Sequence, residues 1–349
     1  MIASCRFPIR EPFTGGLESM TWSLSRELVR RGHEVTVFAA PGSDPDLGVE
    51  ELAVAAPSAS GRHDLNENAT VNIAEHHAYL SLMLDLAKTG ASRFDVVHNN
   101  SLHYLPVAMA SSLAIPLVTT LHTPPLPWLE SAIRIYGGAS TFAAVSAFTA
   151  RAWSPLVESL RVSNGIDTSV WAEGPGGTSA VWSGRLVPEK APHEAMDAAR
   201  RAGIPLVVAG PALDRDYFRE MVEPRLGGDI VWAGHLHQSA LADLMGRSAV
   251  AISTPAWDEP YGLVAAEAMS CGTPVAAYAR GALPEVVAPT CGRLAAPGDV
   301  DGLAAAILEA AQLDRAAVRA HAVEHLSLTR MIDEYEALYG ELASLGEAA

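Results

Sequence analysis

Apolar residues recur in this chain with two periods, and the switches between them mark its elements. Leu17, Met20, Leu24 and Leu28 are spaced to share one helix face, Gly32 is placed to end that helix, and VTVFAA after it predicts a buried strand. With the short apolar start MIASC, this makes a strand, loop, helix, strand unit. Later apolar runs are short and end in polar residues: DVVHNN, PLVTTLH and TFAAVS in the first half, AVWS, PLVVAG, DIVWAG and AVAIST in the second. Helical patterns lie between them, one over residues 71–87, and this alternation predicts an α/β fold with parallel sheets. A weaker strand candidate, ELAVAA, stands in a tract rich in Pro, Ser, Gly and Asp, and a last helix is expected from about Thr329 to Leu345.

At 349 residues the chain exceeds one ordinary domain, and with 49% apolar residues it can fill two cores. Its formal charge of −16 argues against a nucleic-acid partner and against docking on an acidic membrane face, which turns attention to small soluble molecules. The three cysteines, Cys5, Cys271 and Cys291, are odd in number and form no C-x-x-C pair, so a reducing compartment and no structural zinc are expected. No apolar run is long enough to span a membrane and no secretory leader opens the chain, so the expected location is cytoplasmic.

Chemistry concentrates in WDEPYGLVAAEAMSCGTPV, from Trp257 to Val275. Pro260 and Gly262 keep its front in a turn, and LVAAEAMS is rich in helix formers, so a helix should start near Gly262 and stop at Cys271-Gly272. Glu259 then stands before the helix and Glu267 on its second turn, with the free N–H groups of Gly262, Leu263 and Val264 between them. Such a helix end binds anions. A nucleoside diphosphate sugar has the matching layout, a negative centre with hydroxyls on either side. On spacing alone, the two glutamates suit a surface loop and one buried acid better.

Other candidates lie beyond the carboxyl ends of strands, where ligands gather in open parallel sheets. Asn99, Asn100 and His103 follow one strand, His122 and Thr123 the next, and Ser146 a third. His98 reads as packing, and His76-His77 as surface or packing residues. Gly15-Gly16, before the first helix, would let a ligand approach backbone N–H groups closely. Arg185 and Lys190 follow the first strand of the second half, and Lys190 is one of only two lysines in the chain. Arg grips phosphate oxygens bidentately and Lys supplies a point charge.

These segments together resemble the retaining glycosyltransferases of the GT-B fold, family four, whose E-x7-E signature matches EPYGLVAAEAMSCGTPV. The resemblance covers nearly the full length and implies two Rossmann-like domains facing a cleft. Residues 1–163, completed by the C-terminal helix 329–349, would form the acceptor side. Residues 164–328 would form the nucleotide-sugar side, with the crossing in RVSNGIDTSVW. The resemblance also implies that Glu259 holds hydroxyls of the donor sugar, Glu267 the ribose, and the amides of Gly262, Leu263 and Val264 the diphosphate. GGLE followed by RGHEV matches the family's N-terminus, whose loop faces the donor phosphates at Gly16. GR-x4-K matches its diphosphate clamp at Arg185 and Lys190. Ala191 stands there for a usual glycine, which is tolerable unless the backbone needs a positive φ. His122 in TLHTPP takes a position near the donor sugar, Gly234, His235 and Leu236 of GHLHQ the position of the base, and Asn99 and His103 are assigned to the acceptor side. RGALPEVV resembles the family's GG-x-P-E segment, with Ala282 for one glycine.

The implied reaction is retaining transfer of a hexose from a nucleotide diphosphate sugar, with a UDP-sugar as expected donor, to a hydroxyl of a small soluble acceptor, using no metal and no cofactor. The first strand is short for the family, which questions Met1 as the natural start. The chain lacks G-x-G-x-x-G and G-x4-G-K-[ST], which speaks against dehydrogenase and P-loop chemistry. Two D-x-D triplets, Asp44 to Asp46 and Asp214 to Asp216, can hold metal in another glycosyltransferase fold, but one sits in a Pro-rich loop and the other opens a helix, so both read as structural. Glycosidase carboxylates flank one bond at about 5 to 9.5 Å, whereas this pair is expected to grip different parts of one ligand. A sugar-nucleotide epimerase on the same fold and a non-catalytic sugar-nucleotide-binding protein stay open as alternatives.

Overall fold

The computed structural model describes residues 1–52 and 67–347. Strands β1 (Val37–Ala39) and β2 (Val49–Glu51) pair in parallel. Strands β3 (Val97–Asn99), β4 (Leu117–Leu121), β5 (Thr141–Ala144) and β6 (Leu160–Arg161) form a parallel sheet in that order. The apolar start of the chain splices the two: Ile2 bridges Phe38 on one side and Asn99 on the other. Its N–H donates to His98 O and its carbonyl accepts from Asn100 N–H, each at 2.8 Å. MIASC therefore occupies the middle of the sheet, although only Ile2 is paired in regular fashion. Pro8 and Pro12, just beyond, have no N–H with which to extend a ladder. The strand expected in ELAVAA lies earlier, with only Glu51 shared, and residues 53–56 fall outside the described residues.

In the second half β7 (Ala180–Ser183), β8 (Leu206–Ala209), β9 (Ile230–Trp232), β10 (Val250–Ser253), β11 (Val275–Tyr278) and β12 (Gly292–Ala295) form one parallel sheet. Its order is β12-β11-β10-β7-β8-β9. The chain runs outward from β7 to β9, returns to the other side of β7 at β10, and runs outward again. Connections leaving β7 and β10 therefore part in opposite directions, and the crevice beyond their carboxyl ends is where such a sheet takes a ligand. β11 is buried along its whole length, as helices on both faces of a parallel sheet require.

Helix α1 (Gly16–Arg30) buries Met20, Leu24 and Leu28, the face read from their spacing, and each such side chain contributes about 1.5–3 kcal/mol. Helix α2 (Glu67–Thr89) runs longer at both ends than residues 71–87. Helices α3 (Pro127–Tyr136), α4 (Pro192–Ala202), α5 (Gln238–Gly246), α6 (Leu263–Ser270) and α7 (Arg315–His325) pack on the sheets. The last helix, α8 (Leu328–Glu347), returns to the first half, where Met331, Ile332 and Tyr335 share a core with Met20 and Leu24. His98 meets Tyr339 Oη at 2.6 Å and Thr120 Oγ1 at 2.7 Å, which makes it a packing residue. The two passages between the halves touch: Ile166 N–H donates to Leu326 O at 2.9 Å, and Leu328 N–H to Ile166 O at 2.8 Å. Among the described residues no helix is long and apolar enough to cross a membrane.

Candidate functional site

Between the two sheets lies a cavity of about 370 Å³, lined from both halves by residues that follow strand ends or open helices. On the second-half wall, Gly262 caps α6 with φ 102° and ψ 51°, a conformation that an L-residue adopts only with strain, and no side chain caps the helix start. The first-turn N–H groups of Leu263 and Val264 have no partner within the helix, and both residues line the cavity. The far end of α6 is tied down, since Arg319 donates to Ser270 O and Arg315 to Cys271 O at 3.1 Å. Two cations thus offset the negative end of the helix dipole, while the positive end faces the cavity.

Opposite stands the start of α1, again opened by glycine and again without a side-chain cap. Gly16 lines the cavity, and a Cβ placed on it would lie 2.8 Å from Leu263 Cδ1, so a larger residue there would have to displace that side chain where the two walls meet. Two bare helix N-termini therefore converge on one space. Glu18, on the first turn of α1, also lines it. Burial pushes this carboxyl up, against the pull of its own N–H and the charge of Arg185 across the cleft. Sequence reading passed Glu18 over, although it is the acid of GGLE.

Arg185 lines the cavity and stands 3.7 Å from Glu189. Lys190 is not a free point charge: its Nζ lies 2.5 Å from Glu259 Oε2 and 5.4 Å from the centre of the Trp257 ring. The residue expected at the diphosphate and the one expected at the sugar thus touch directly. Beneath them RGALPEVV acts as a support, with Ala282 N–H donating to Glu259 O at 2.7 Å. Ala191 adopts φ 44° and ψ 52°, the one non-glycine residue at positive φ among the described residues. The condition under which alanine would be poorly tolerated is therefore met, because the turn from Lys190 into α4 needs a left-handed residue.

Glu267 contrasts with Glu259. It is 8% exposed, its carboxylate finds no hydrogen-bond partner among the described residues, and burial pushes it up to about 8. A ligand supplying hydroxyl donors would remedy that lack. On the first-half wall His122 donates from Nε2 to Asn100 Oδ1 at 2.9 Å, and burial lowers it to about 3, so the imidazole is neutral with Nδ1 left as acceptor. Ser146, which opens the helix after β5, donates to Pro260 O at 2.6 Å and so pins the loop carrying Glu259 to the first half.

The GHLHQ loop divides by residue. His235 and Leu236 line the cavity, while Gly234, at φ 76°, forms the turn behind them and accepts from Gly210 N–H at 2.8 Å. His235 Nε2 donates to Phe13 O at 2.9 Å, and Glu11 accepts from Gln238 N–H at 3.2 Å, so this loop also bridges the halves. Neither Asn99 nor His103 lines the cavity. Asn99 is fully buried, its Oδ1 taken by Ser101 Oγ at 2.7 Å, and His103 is stacked on Tyr79 and Tyr104. Leu102, between them in the chain, points into the cleft instead. The strand ends at Asn99, and polarity in the loop after it does not mark which residue lines the cavity. The D-x-D acids are engaged locally: Asp44 Oδ2 accepts from Trp22 Nε1 at 2.9 Å, and Asp214 Oδ1 accepts from Tyr217 N–H at 2.9 Å.

Two family models match consecutive parts of the chain, Glycosyltransferase Family 4 over residues 14–170 and Glycosyl transferases group 1 over residues 171–323. The glycogen synthase of Mycobacterium tuberculosis is 30% identical over 339 residues, covering 84% of this chain and 81% of that protein. The MMP alpha-(1->4)-mannosyltransferase of Mycolicibacterium hassiacum is 29% identical, covering 84% of this chain and 85% of its own. Among solved structures, Anabaena HepE in complex with UDP-glucose superposes with a TM-score of 0.74 at 18% identity, covering 98% of each chain. Its two-domain GT-B architecture is the fold seen here.

Proposed function

The chain belongs to the glycosyl transferases group 1, family 4, and from that premise we propose that it carries a sugar from a UDP-sugar to a hydroxyl of a small soluble acceptor, with retention at the anomeric carbon and without a metal ion. Transfer from a nucleotide sugar is the activity of the family. The observation that carries the finer reading is the pair of opposed, glycine-started helix ends at one cavity, with Arg185 beside them and a carboxylate to either side. In this reading residues 164–328 are the donor side, and residues 1–163 with 329–349 the acceptor side.

The diphosphate lies against Gly16, Gly262, Leu263, Val264 and Arg185. As the bond from sugar to diphosphate breaks, negative charge grows on the departing oxygen, and donors fixed beforehand stabilise it without reorganising. The donor sugar enters between Lys190 and Glu259. Glu259 then accepts from sugar hydroxyls and Lys190 turns to the phosphates. Glu267 accepts from the ribose hydroxyls, which favour its ionised form, and the base rests against His235 and Leu236 over the Gly234 turn. Neutral His122 orients the sugar. The acceptor comes along the first-half wall past Leu102 and attacks from the face that the diphosphate leaves, with no covalent intermediate on the enzyme. A cleft closed around the pair keeps water from competing. UDP as the nucleotide is supported by the HepE complex with UDP-glucose, a neighbour in fold.

The test is incubation with UDP-glucose and other nucleotide sugars in the presence of EDTA, following UDP release and reading the anomeric configuration of the product by NMR. Transfer with retention in chelator is expected. Activity that returns only with Mg²⁺ or Mn²⁺ refutes metal independence, and an inverted product refutes retention. A new epimer without UDP release identifies an epimerase, and UDP-glucose binding with neither outcome identifies a binding protein.

A further inference from the structure

Four rings are stacked along the first half, from the core to the rim of the cleft. Tyr79 of α2 is buried, its hydroxyl donating to Ala3 O at 2.9 Å and accepting from Cys5 N–H at 3.0 Å. His103 stacks on Tyr79 with ring centres 4.5 Å apart, Tyr104 stacks on His103 at 4.7 Å, and Trp128 lies over Tyr104 at 6.1 Å and 29°. The Tyr104 hydroxyl meets His76 Nδ1 at 3.0 Å, which locks the third ring. Only the last ring has an open face: Trp128 is 75% exposed. An indole backed by one ring and bare in front offers its open face to a stacking ligand.

Place and charge narrow the ligand. Trp128 opens α3 shortly after His122 and Thr123, which line the cavity, and Leu102, next to His103 in the chain, lines it too. The stack therefore rises beside the first-half wall of the cavity, which Arg6 also lines, although Trp128 itself does not line it. Arg6, near enough for its charge to act on His103, is paired with Glu75 at 3.1 Å, and Arg134 of α3 with Glu130 at 2.9 Å. Among the described residues both of these cations are already paired with a carboxylate, and both pairs offer donors and acceptors to hydroxyl groups. Ile135 and Tyr136, the other large exposed hydrophobic residues of α3, lie two turns along, and Ser131 with the Glu130–Arg134 pair stands between them and Trp128.

We propose that Trp128, backed by Tyr104, His103 and Tyr79, is an acceptor subsite for a neutral saccharide, whose apolar C–H face lies on the indole while its hydroxyls meet the Arg6–Glu75 pair. This rests on the transferase reading and names the chemical class of its acceptor. A polyol phosphate or an aminocyclitol would leave the open ring unused and would have to break the Arg6–Glu75 or the Glu130–Arg134 pair to find a free charge.

The experiment measures binding of maltotriose, methyl α-mannoside and glucose 6-phosphate to the full chain by saturation-transfer NMR and calorimetry, with and without UDP. Wild type is compared with Trp128→Ala and Trp128→Phe. Maltotriose or the mannoside should bind better than the sugar phosphate, about tenfold more weakly in Trp128→Ala, with Trp128→Phe largely restored and UDP affinity the same in all three. Neutral saccharides that fail to bind wild type, or that bind Trp128→Ala as tightly, overturn the proposal. So does a preference for glucose 6-phosphate, or binding of wild type to phosphatidylglycerol vesicles that Trp128→Ala loses. Should UDP itself not bind, the donor reading falls, and the saccharide arm without UDP still decides the fate of the ring stack.

Discussion

Arg185, Lys190, Glu259 and Glu267 stand on one wall of the cleft, and the wall facing them is built of other material: a bare helix start at Gly16, a neutral His122, Leu102, and an arginine already paired with Glu75. The charged wall comes from turns after two adjacent strands, β7 and β10, and from one helix end. The facing wall is gathered from loops after the first apolar stretch, β3 and β4, together with the start of α1, whose buried Glu18 adds one acid. A diphosphate needs donors and charge wherever it is bound, so one wall carries a chemical signature. An uncharged acceptor needs shape and surface, which many side chains supply equally well. The contrast extends to the two acids of the charged wall, since Glu259 is held by Lys190 and Glu267 is held by nothing.

The largest effect should break the symmetry between those acids. Glu259→Gln should lower turnover by about 10²–10³, as loss of a group that orients the reacting sugar does, and leave UDP affinity nearly unchanged. Glu267→Gln should weaken UDP and intact donor together. Calorimetry with UDP and initial rates on both variants decide it, and equal loss of UDP affinity in the two would remove the split.

Glu267 also makes a prediction about stability. Its folded pKa, about 8, lies above the ordinary 4.5, so the folded state keeps a proton that the unfolded chain releases. Stability should therefore decline as pH rises from about 4.5 through 8, by an amount on the order of 5 kcal/mol. Glu267→Gln cannot release that proton. Its advantage in urea unfolding should be small near pH 4.5 and full above pH 8, and an advantage independent of pH would show that burial does not shift this acid.

A smaller effect tests the wall's charge itself. Arg185→Ala should cost UDP binding about 2 kcal/mol, the worth of a charge-assisted hydrogen bond, without disturbing the fold. Titration calorimetry with UDP that gave the wild-type affinity would take Arg185 out of the diphosphate site. The smallest effect concerns Ala191, next to Lys190. Relief of its left-handed strain outweighs the added freedom of the unfolded chain, so Ala191→Gly should stabilise by about 0.5 kcal/mol in denaturant unfolding. Destabilisation would mean that the buried methyl group matters more than the backbone.

The secondary structure of Trp257 to Val275 was legible because it is set locally. Its turn, its glycine cap and the helix carrying Glu267 follow from neighbours within one turn, so the boundaries expected at Gly262 and Cys271 are those observed. The face of α1 and most strands were legible for the same reason, apolar period being a property of short segments. That Leu102 rather than Asn99 or His103 lines the cavity was not legible, because polarity after a strand does not say which residue of a loop turns inward. Glu18 was passed over because its meaning depends on Arg185, far off in the chain.

By itself, then, the order of residues determined the α/β class, the parallel sheets, the helix start at Gly262 and the family to which the chain belongs. Only the tertiary structure decided that a second bare helix start faces the first, that Lys190 closes on Glu259, that Ala191 is forced to positive φ, and that four rings from three segments stack to leave Trp128 open at the rim. The division has one cause. Hydrogen bonds within a turn and the period of a helix or strand act over a few residues, whereas desolvation, ion pairing and ring stacking depend on distances in space that chain separation does not fix.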